Sequence, residues 1–241
     1  MTESSISEPT RYCQTLIVDD DEKFCRLLRE YLRPFGFQVS EAHTGTAGMR
    51  QLAESRFDVI ILDLMLPGMD GLEVLRKLGT NRRVPVLMLT ARGDEPDRIV
   101  GLEMGADDYL PKTASPREIL AHLRAITRRS QGEDRAADDQ KEITIGNLRI
   151  DAAARTAKVG DKVLLLTSFE FDLLLALARS AGEIRTRNQL LQKIASRPQG
   201  DFDRSIDVHI SSLRRKLQDD PRDPEFIVTI RNNGYMMRRQ S

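Results

Sequence analysis

Carboxylates, a lysine and a hydroxyl occur in this sequence where apolar runs end. Asp19 and Asp20 follow one run, Asp63 and Thr90 close two others, and Lys112 follows a fourth. Because the carboxyl ends of parallel strands form the ligand crevice of an open α/β sheet, these side chains are expected to converge. Clustered carboxylates repel each other unless a hard cation binds them, and oxygen ligands suit Mg²⁺. With a lysine and a hydroxyl to stabilise phosphoryl oxygens, the set predicts an aspartyl-phosphate site.

Single aspartates at strand ends serve more often as helix caps than as ligands, and Asp21 and Glu22 are expected to do so. The joint occurrence at four strand ends favours the phosphate site over that interpretation. An aspartate nucleophile with Mg²⁺ could also belong to a phosphohydrolase. The first half of the chain has no insertion that could form a substrate cap, which argues against such an enzyme.

The elements that position these residues alternate from Thr15 to about Arg129. The predicted strands are Thr15–Val18, Phe37–Ala42, Phe57–Leu62, Val86–Thr90 and Asp108–Leu110. Apolar stripes at helical spacing lie between them or after them, at Phe24–Leu32, Leu72–Leu78, Ile99–Met104 and Ile119–Ile126. This alternation predicts five strand–helix units in an α/β domain with a doubly wound, five-stranded parallel sheet.

Composition limits the class of protein. The 241 residues carry 37 basic and 37 acidic side chains and are 40% apolar, which excludes a wholly disordered chain and a uniformly basic nucleic-acid coat. Apolar runs are far shorter than the roughly 20 residues that span a bilayer, and Met1–Arg11 has no signal-peptide core. We expect a cytoplasmic protein with no membrane contact, in which Cys13 and Cys25 are thiols.

The chain is predicted to divide into a flexible N-terminus (1–13), a first domain (14–129), a linker (130–141) and a second domain (142–241). The linker contains no large apolar residue. In the second domain, predicted strands are followed by helices and a hairpin, in the order Ile143–Ile150, Thr156–Val159, Lys162–Leu165, a helix capped by Thr167 and Glu170, Arg187–Ile194, Asp203–Leu217, Phe226–Ile230 and Tyr235–Met237.

The helix at Asp203–Leu217 has the pattern of a DNA reader. Its apolar residues fall on one side, and the side facing broadly away carries Arg204, Ser211, Arg214 and Arg215. Arginine and serine can contact phosphates and base edges in the major groove. With the helix before it and the hairpin after it, this element predicts an α+β winged helix-turn-helix domain.

Four motifs of the first half resemble those of two-component receiver domains, which have a CheY-like or flavodoxin-like fold: Leu16–Asp20 (LIVDD), Asp63–Gly71 (DLMLPGMDG), Leu89–Arg92 (LTAR) and Gly105–Lys112 (GADDYLPK). The resemblance implies that Asp63 accepts a phosphoryl group from a partner sensor histidine kinase. It also implies that Mg²⁺ is held by Asp19, Asp20, Asp63 and the carbonyl of Met65. Thr90, Ala91, Tyr109 and Lys112 would form the phosphate and switch site.

The same resemblance implies a homodimer of the phosphorylated protein. Members that dimerise through the fourth helix, fifth strand and fifth helix have crossed ion pairs, which here would be Arg98 with Glu118 and Asp107 with Arg129. His122 stands opposite Asp108, where arginine is usual. We hypothesise that this pair weakens dimerisation as pH rises and the histidine loses its proton. The chain also departs from the family in having Thr113, not proline, after Lys112.

The second half resembles the winged-helix domain of OmpR/PhoB response regulators, with features of the CpxR and RstA branches. The matching stretches are Leu166–Leu174, Arg204–Leu217 and Thr229–Tyr235. By this resemblance, phosphates would be contacted by Arg204, His209, Arg214 and Thr229, bases would be faced by Val208, Ser211 and Ser212, and the minor groove would be reached by Arg231. Asn232 replaces the usual glycine after the wing arginine and is expected to preserve the turn. The loop Ala195–Asp201 lies where such regulators often meet RNA polymerase, but it lacks the common tryptophan and contains Pro198 and Gly200, so the sequence itself does not support this contact.

Together these features predict a transcription factor switched by phosphorylation of Asp63, which binds promoter DNA as a dimer on tandem half-sites. The alternative is a constitutive DNA binder with a degenerate receiver that no longer switches.

Overall fold

The computed structural model describes residues 12–79, 84–90, 101–102, 104–131, 142–195 and 204–239. The first domain is built on a five-stranded parallel sheet of order β2-β1-β3-β4-β5. Its strands are β1 (Cys13–Val18), β2 (Phe37–Ala42), β3 (Val59–Asp63), β4 (Val86–Thr90) and β5 (Asp108–Pro111). Its helices are α1 (Glu22–Leu32), α2 (Gly45–Glu54), α3 (Gly71–Leu78) and α4 (Pro116–Gln131), and residues 101–102 are also helical. The predicted doubly wound sheet is confirmed.

Both faces of this sheet are covered by apolar layers, as strand alternation requires. Along β1, Leu16 and Val18 enter the cluster that contains Leu75 of α3, whereas Ile17 enters the cluster that contains Leu28 of α1. Successive strand residues point to opposite faces, so a strand that is apolar throughout must be buried on both sides. The carboxyl ends of the strands therefore lie at one edge of the sheet, between two helical layers.

Helix α2 does not appear among the apolar stripes of the sequence. It begins after Thr44, whose side chain accepts a hydrogen bond from Ala47 N, and it contains Gly45 and Gly48. A Cβ atom on Gly48 would lie 2.8 Å from a methyl carbon of Val18, so the helix approaches β1 through small residues. Small residues leave no apolar stripe, and periodicity misses the helix for that reason.

The second domain begins with a four-stranded antiparallel sheet of order β6-β7-β8-β9. Its elements are β6 (Glu142–Ile145), β7 (Leu148–Asp151), β8 (Thr156–Val159), β9 (Lys162–Val163), α5 (Ser168–Arg179), β10 (Arg185–Thr186), α6 (Arg187–Ala195), α7 (Arg204–Leu217), β11 (Ile227–Ile230) and β12 (Gly234–Met237). The last sheet has the order β10-β12-β11, and its β11–β12 hairpin forms the wing. A winged helix is confirmed.

Several element boundaries differ from the sequence predictions, and two of the differences change how the chain is divided. The predicted strand Ile143–Ile150 is two strands, because Gly146 turns the chain with φ of +58°. Helix α4 continues to Gln131, so the first residues of the predicted linker are helical, and residues 132–141 lie outside the described part of the chain.

The predicted capping box at the start of α5 is confirmed and extends into the core. Thr167 accepts from Glu170 N, and Glu170 accepts from Thr167 N at 2.8 Å. The Glu170 carboxylate is buried and also binds Ser212 Oγ at 2.7 Å and the Lys216 ammonium. Burial alone would raise the pKa of Glu170, but the charge of Lys216 and these hydrogen bonds lower it below 4.5. One carboxylate thus fastens α5 to α7.

Replacing this carboxylate should destabilise the second domain. For Glu170→Gln we expect the free energy of unfolding at neutral pH to fall by about 3 kcal/mol, because an ammonium loses its buried partner. A carboxyl group whose pKa is lower in the folded state stabilises the protein at pH values above its unfolded pKa, and this stabilisation is lost as pH falls. The difference in unfolding free energy between the wild type and Glu170→Gln should therefore narrow towards about pH 3.5. Urea unfolding at both pH values measures this.

The control Glu183→Gln breaks an exposed pair with Arg185 and should change stability by less than about 1 kcal/mol. An equal loss in both variants would contradict the role of burial.

Candidate functional site

The predicted carboxylates converge at the carboxyl end of the first sheet. Asp19 follows β1, Asp63 ends the neighbouring β3, and carboxylate oxygens of Asp19, Asp20 and Asp63 lie within 4.8 Å of one another. Asp19 and Asp63 are buried, and Asp20 is exposed. The convergence expected from strand-end positions is confirmed.

Lys112 enters this cluster from β5. Its Nζ lies 2.8 Å from the Asp19 carboxylate and 2.9 Å from Asp63 Oδ2, and its backbone N donates to Thr90 O at 2.7 Å. Although burial lowers the pKa of Lys112, the hydrogen bonds to both carboxylates raise it above 10.5, so the side chain is a fixed cation. Threonine after Lys112 does not prevent this placement, and the described residues contain no cis peptide bond.

The charges and ligand atoms of this cluster fit a divalent cation. Asp19, Asp63 and Lys112 sum to one negative charge, and Asp20 adds a second. Asp63 Oδ1 is buried and has no hydrogen-bond partner among the described residues. Burial raises the pKa of Asp19 above 3.8, against the lowering effect of Lys112, as expected when carboxylates are packed together without full compensation. An oxygen-only set of this charge suits Mg²⁺, and a role of the Met65 carbonyl stays a prediction.

The proposed switch pair lies on adjacent strands. Thr90 is the last residue of β4 and is fully buried. Tyr109, opposite Met88 in the register, is 3% exposed, and its ring belongs to the apolar cluster that contains Leu102. The aromatic ring is therefore packed inward in this structure. Ala91 lies outside the described residues.

Two residues that were expected to pair across a dimer interface contact each other within the chain. His122 Nδ1 lies 2.7 Å from Asp108 Oδ2, and both residues are buried. This corrects the prediction that they pair across a dimer, because α4 follows β5 closely enough to bring them together. Glu118 is exposed, whereas Arg98 and the side chain of Arg129 lie outside the described residues, so these ion pairs stay predictions.

Helix α7 buries the predicted apolar stripe and leaves cationic and polar residues outside. Ile206, Ile210, Leu213 and Leu217 are buried, and Ser211 and Arg215 are exposed. Ser212 does not face outward as predicted. It is 4% exposed and donates to Glu170, because it lies at the edge of the apolar stripe, where the buried carboxylate accepts its hydroxyl.

Two other residues of α7 that are predicted to contact DNA also lie towards the covered side of the helix. His209 is 1% exposed, and its ring stacks on Phe169 with centroids 4.0 Å apart. This burial corrects the prediction that His209 is placed for a phosphate in this structure. Val208 is half-buried, and the side chain of Arg204 lies outside the described residues.

The wing is held against the helices by long-range polar contacts. Arg214 donates to Ile227 O at 2.6 Å and to Thr229 Oγ1 at 2.8 Å. At the tip Arg231 is exposed, and Asn232 has φ of +63°, which confirms that asparagine preserves the turn.

Sequence reasoning missed a cluster beside the wing. Asp207 Oδ1 accepts from Tyr235 OH at 2.6 Å and from Arg187 Nε at 2.7 Å, which joins β12 and α6 to α7. Burial, followed by the bond to Asp207, raises the pKa of Tyr235 to about 12, so the phenol stays a donor. No local spacing could reveal three residues from three separate elements.

None of the helices in the described part of the chain is long and apolar enough to cross a membrane. The loop Ala195–Asp201 lies almost wholly outside the described residues.

Comparisons with known proteins place both halves in described families. Residues 15–124 match "Response regulator receiver domain", and residues 161–237 match "Transcriptional regulatory protein, C terminal". The chain is 40% identical over 225 residues to "Transcriptional regulatory protein CpxR" of Escherichia coli, covering 92% of this chain and 97% of that protein. It is 38% identical over 222 residues to "Sensory transduction protein RegX3" of Mycolicibacterium smegmatis, covering 92% of this chain and 97% of that protein.

Two solved structures are also similar. A point mutant of the protein RitR has a TM-score of 0.75 at 24% identity, with 94% of this chain and 99% of that chain covered, a likeness that concerns the fold alone. DrrB of Thermotoga maritima, described as an OmpR/PhoB homologue, is 32% identical with 94% of this chain and 99% of that chain covered, and has a TM-score of 0.49.

Proposed function

Because the chain belongs to the OmpR/PhoB family of two-component response regulators, we propose that phosphorylation of Asp63 by a sensor histidine kinase controls its binding to promoter DNA. The family consists of DNA-binding transcription regulators rather than classical enzymes. The observation that carries the proposal is the placement of Lys112 Nζ, 2.8 Å from Asp19 and 2.9 Å from Asp63, beside the carboxylate of Asp20. Aspartates that served only as helix caps would not require this arrangement of charges.

In the proposed reaction, a carboxylate oxygen of Asp63 attacks the phosphorus of the kinase's phosphohistidine. The O–P bond forms as the P–N bond breaks, and the leaving electron pair stays on the imidazole. Lys112 offers a fixed positive charge to the transferred oxygens, and Thr90 offers a hydroxyl donor. Asp19, Asp20 and Asp63, with the Met65 carbonyl, would hold Mg²⁺, whose charge would stabilise the phosphoryl oxygens when bound.

The new charge is proposed to act through Thr90 and Tyr109 on the surface formed by β5 and α4. Their strands are adjacent, and in this proposal a movement of Thr90 towards the phosphoryl group would make room for the aromatic ring to change position. Two phosphorylated chains would then pair, with Arg98–Glu118 and Asp107–Arg129 as the crossed contacts. Phosphorylation switches a protein by adding charge near a structural element that can adopt two packing arrangements.

DNA would be bound by the exposed face of α7 and by the wing. Ser211 and Arg215 are exposed on that helix, and Arg231 is exposed at the wing tip. The proposed surface also includes Arg204, Val208, Arg214 and Thr229. His209 would join it only if its ring moved away from Phe169. Ser212 is no longer part of the proposed surface. Tandem half-sites about one helical turn apart would suit a dimer, and RNA polymerase is proposed as a further partner. Affinity should fall steeply with salt because phosphate contacts release counterions.

The first test is the intact mass of the protein after incubation with acetyl phosphate and Mg²⁺. One added phosphoryl group is expected in the wild type and in Asp58→Asn, which alters an aspartate outside the cluster. None is expected in Asp63→Asn or with EDTA. The phosphorylated protein should then bind DNA more tightly than the unphosphorylated one. DNA affinity that responds neither to the phosphodonor nor to Asp63→Asn would instead identify a constitutive binder with a degenerate receiver.

A further inference from the structure

The two domains contact each other through a buried aspartate of the receiver. Asp107 immediately precedes β5 and is 2% exposed. Its Oδ2 accepts from Val86 N at 2.9 Å, which ties it to the sheet, and its Oδ1 accepts from Phe169 N of the second domain at 3.3 Å. One carboxylate therefore accepts hydrogen bonds from both domains.

The donor in the second domain lies at the start of helix α5. The first four amides of a helix have no partner within it, and the helix dipole favours a negative charge at that end. Thr167 accepts from Glu170 N, and Asp107 accepts from Phe169 N in the same first turn. The receiver thus supplies a charged cap to a helix of the DNA-binding domain.

This contact leads directly to the helix proposed to enter DNA. The Phe169 ring stacks on His209 of α7, and the preceding residue Val208 packs against the receiver's apolar cluster that contains Tyr109 and Leu102. Helix α4 of the receiver also contacts α5 and α6. Val208 cannot face a base while it lies on the receiver, because a helix of about 10 Å diameter fills a major groove about 12 Å wide.

We propose that Asp107 is an interdomain latch, which holds the DNA-binding domain closed on the receiver with the Val208 side of α7 covered. The inference rests on the proposed function for its DNA readout. It also has a consequence for the predicted ion pair between Asp107 and Arg129. A carboxylate that pairs with Arg129 of a second copy leaves Phe169 N, so dimerisation and closure compete for the same oxygen atoms.

The test compares the full-length wild type with Asp107→Ala and with the matched control Asp58→Ala. Asp58 also accepts from a strand amide, Gln14 N at 2.8 Å, and its loss changes the net charge equally. Three readouts are used on each protein: hydrogen exchange at the Phe169 amide, radius of gyration from small-angle scattering, and affinity for a random duplex of about 20 base pairs.

In Asp107→Ala we expect exchange at Phe169 to become about tenfold faster and DNA affinity to rise about tenfold, the shift expected on losing a hydrogen bond to a charged group. The radius of gyration should increase. Asp58→Ala should match the wild type in all three. Asp107→Asn, which keeps one oxygen for Val86 N, should shift the readouts in the same direction if the alanine variant does not fold.

Unchanged exchange and scattering in a folded Asp107 variant would overturn the latch. Faster exchange and a larger radius without tighter DNA binding would overturn the claim that closure covers the DNA-binding helix. If none of the proteins binds DNA, the proposed function fails, while exchange and scattering still decide whether Asp107 holds the domains together. Absence of phosphorylation likewise leaves this test intact, because no readout uses a phosphodonor.

Discussion

Lys112→Met should lower the free energy of unfolding of the receiver by about 3 kcal/mol in the absence of Mg²⁺. The reason is the double contact of its ammonium with Asp19 and Asp63, both buried. Without it, two carboxylates face each other in a crevice with no compensating cation. Removing one member of a buried ionic group is far more damaging than removing an exposed one, because the remaining charge keeps its desolvation penalty.

The same variant should respond more strongly to Mg²⁺ than the wild type. Lys112 occupies carboxylate oxygens that the cation would use, so its removal exposes more negative charge to the ion. Binding only to the folded state stabilises it by mass action, and tighter binding stabilises it more. The increase in melting temperature on adding Mg²⁺ should therefore be larger for Lys112→Met.

The pH dependence has a defined sign. The pKa of Asp19 is raised by burial and lowered by Lys112, so losing the lysine raises it further. A raised folded-state pKa gives stability at low pH that is lost as pH increases. Relative to the wild type, Lys112→Met should thus recover stability as pH falls from neutral towards the ordinary pKa of an unfolded aspartate, about 3.9.

Urea unfolding with and without Mg²⁺ measures these effects, and Lys77→Met is the matched control. Lys77 forms an exposed helical pair with Glu73 at 3.2 Å, and its replacement should change stability by less than about 0.5 kcal/mol. If Lys112→Met were as stable as the wild type without the metal, the carboxylates would have to be compensated by other groups.

Gly71→Ala should damage both the stability of the receiver and its acceptor site. Gly71 begins α3 after the cap Asp70, and its amide donates to Leu64 O at 2.9 Å. A Cβ atom at this position would lie 2.1 Å from the backbone oxygen of Asp63 and 2.9 Å from Leu64 Cα. Backbone atoms of a central strand cannot move aside without shifting the strand end itself.

We expect Gly71→Ala to lose at least about 3 kcal/mol of unfolding free energy, at the upper end of overpacking effects. Because the displaced atoms belong to Asp63, phosphorylation by acetyl phosphate should fall with stability. Circular dichroism during denaturation measures the first effect, and hydrogen exchange in β3 assigns it to the receiver.

Gly101→Ala is the matched control for this clash. Gly101 is helical, and its Cβ would meet the Met88 sulfur at 3.1 Å, the end of a flexible side chain. Its stability should stay within about 1 kcal/mol of the wild type, since alanine favours the helix and Met88 can adjust. Similar losses in the two variants would show that the close approach to Asp63 has no special effect.

Local sequence patterns are sufficient to predict the fold class and the composition of the acidic site. The apolar runs of β1 and β3 and the strand-end positions of Asp19 and Asp63 are visible without any tertiary contact. In a parallel sheet, a residue that closes a strand must reach the same edge as the others. The capping box at Thr167 and the positive φ of Asn232 likewise depend on neighbours in the chain.

The partners of the polar residues, in contrast, depend on how the elements pack. Ser212 lies on the flank of its helix, where the family resemblance implies a base contact, but it bonds to Glu170, 42 positions away. Asp108 pairs with His122 of its own chain, and Asp107 reaches Phe169, 62 positions away, in the other domain. A carboxylate has several partners of similar energy within reach, and the choice depends on which element packs nearby and excludes water. Periodicity can place a residue on a face, but only packing determines what that face meets.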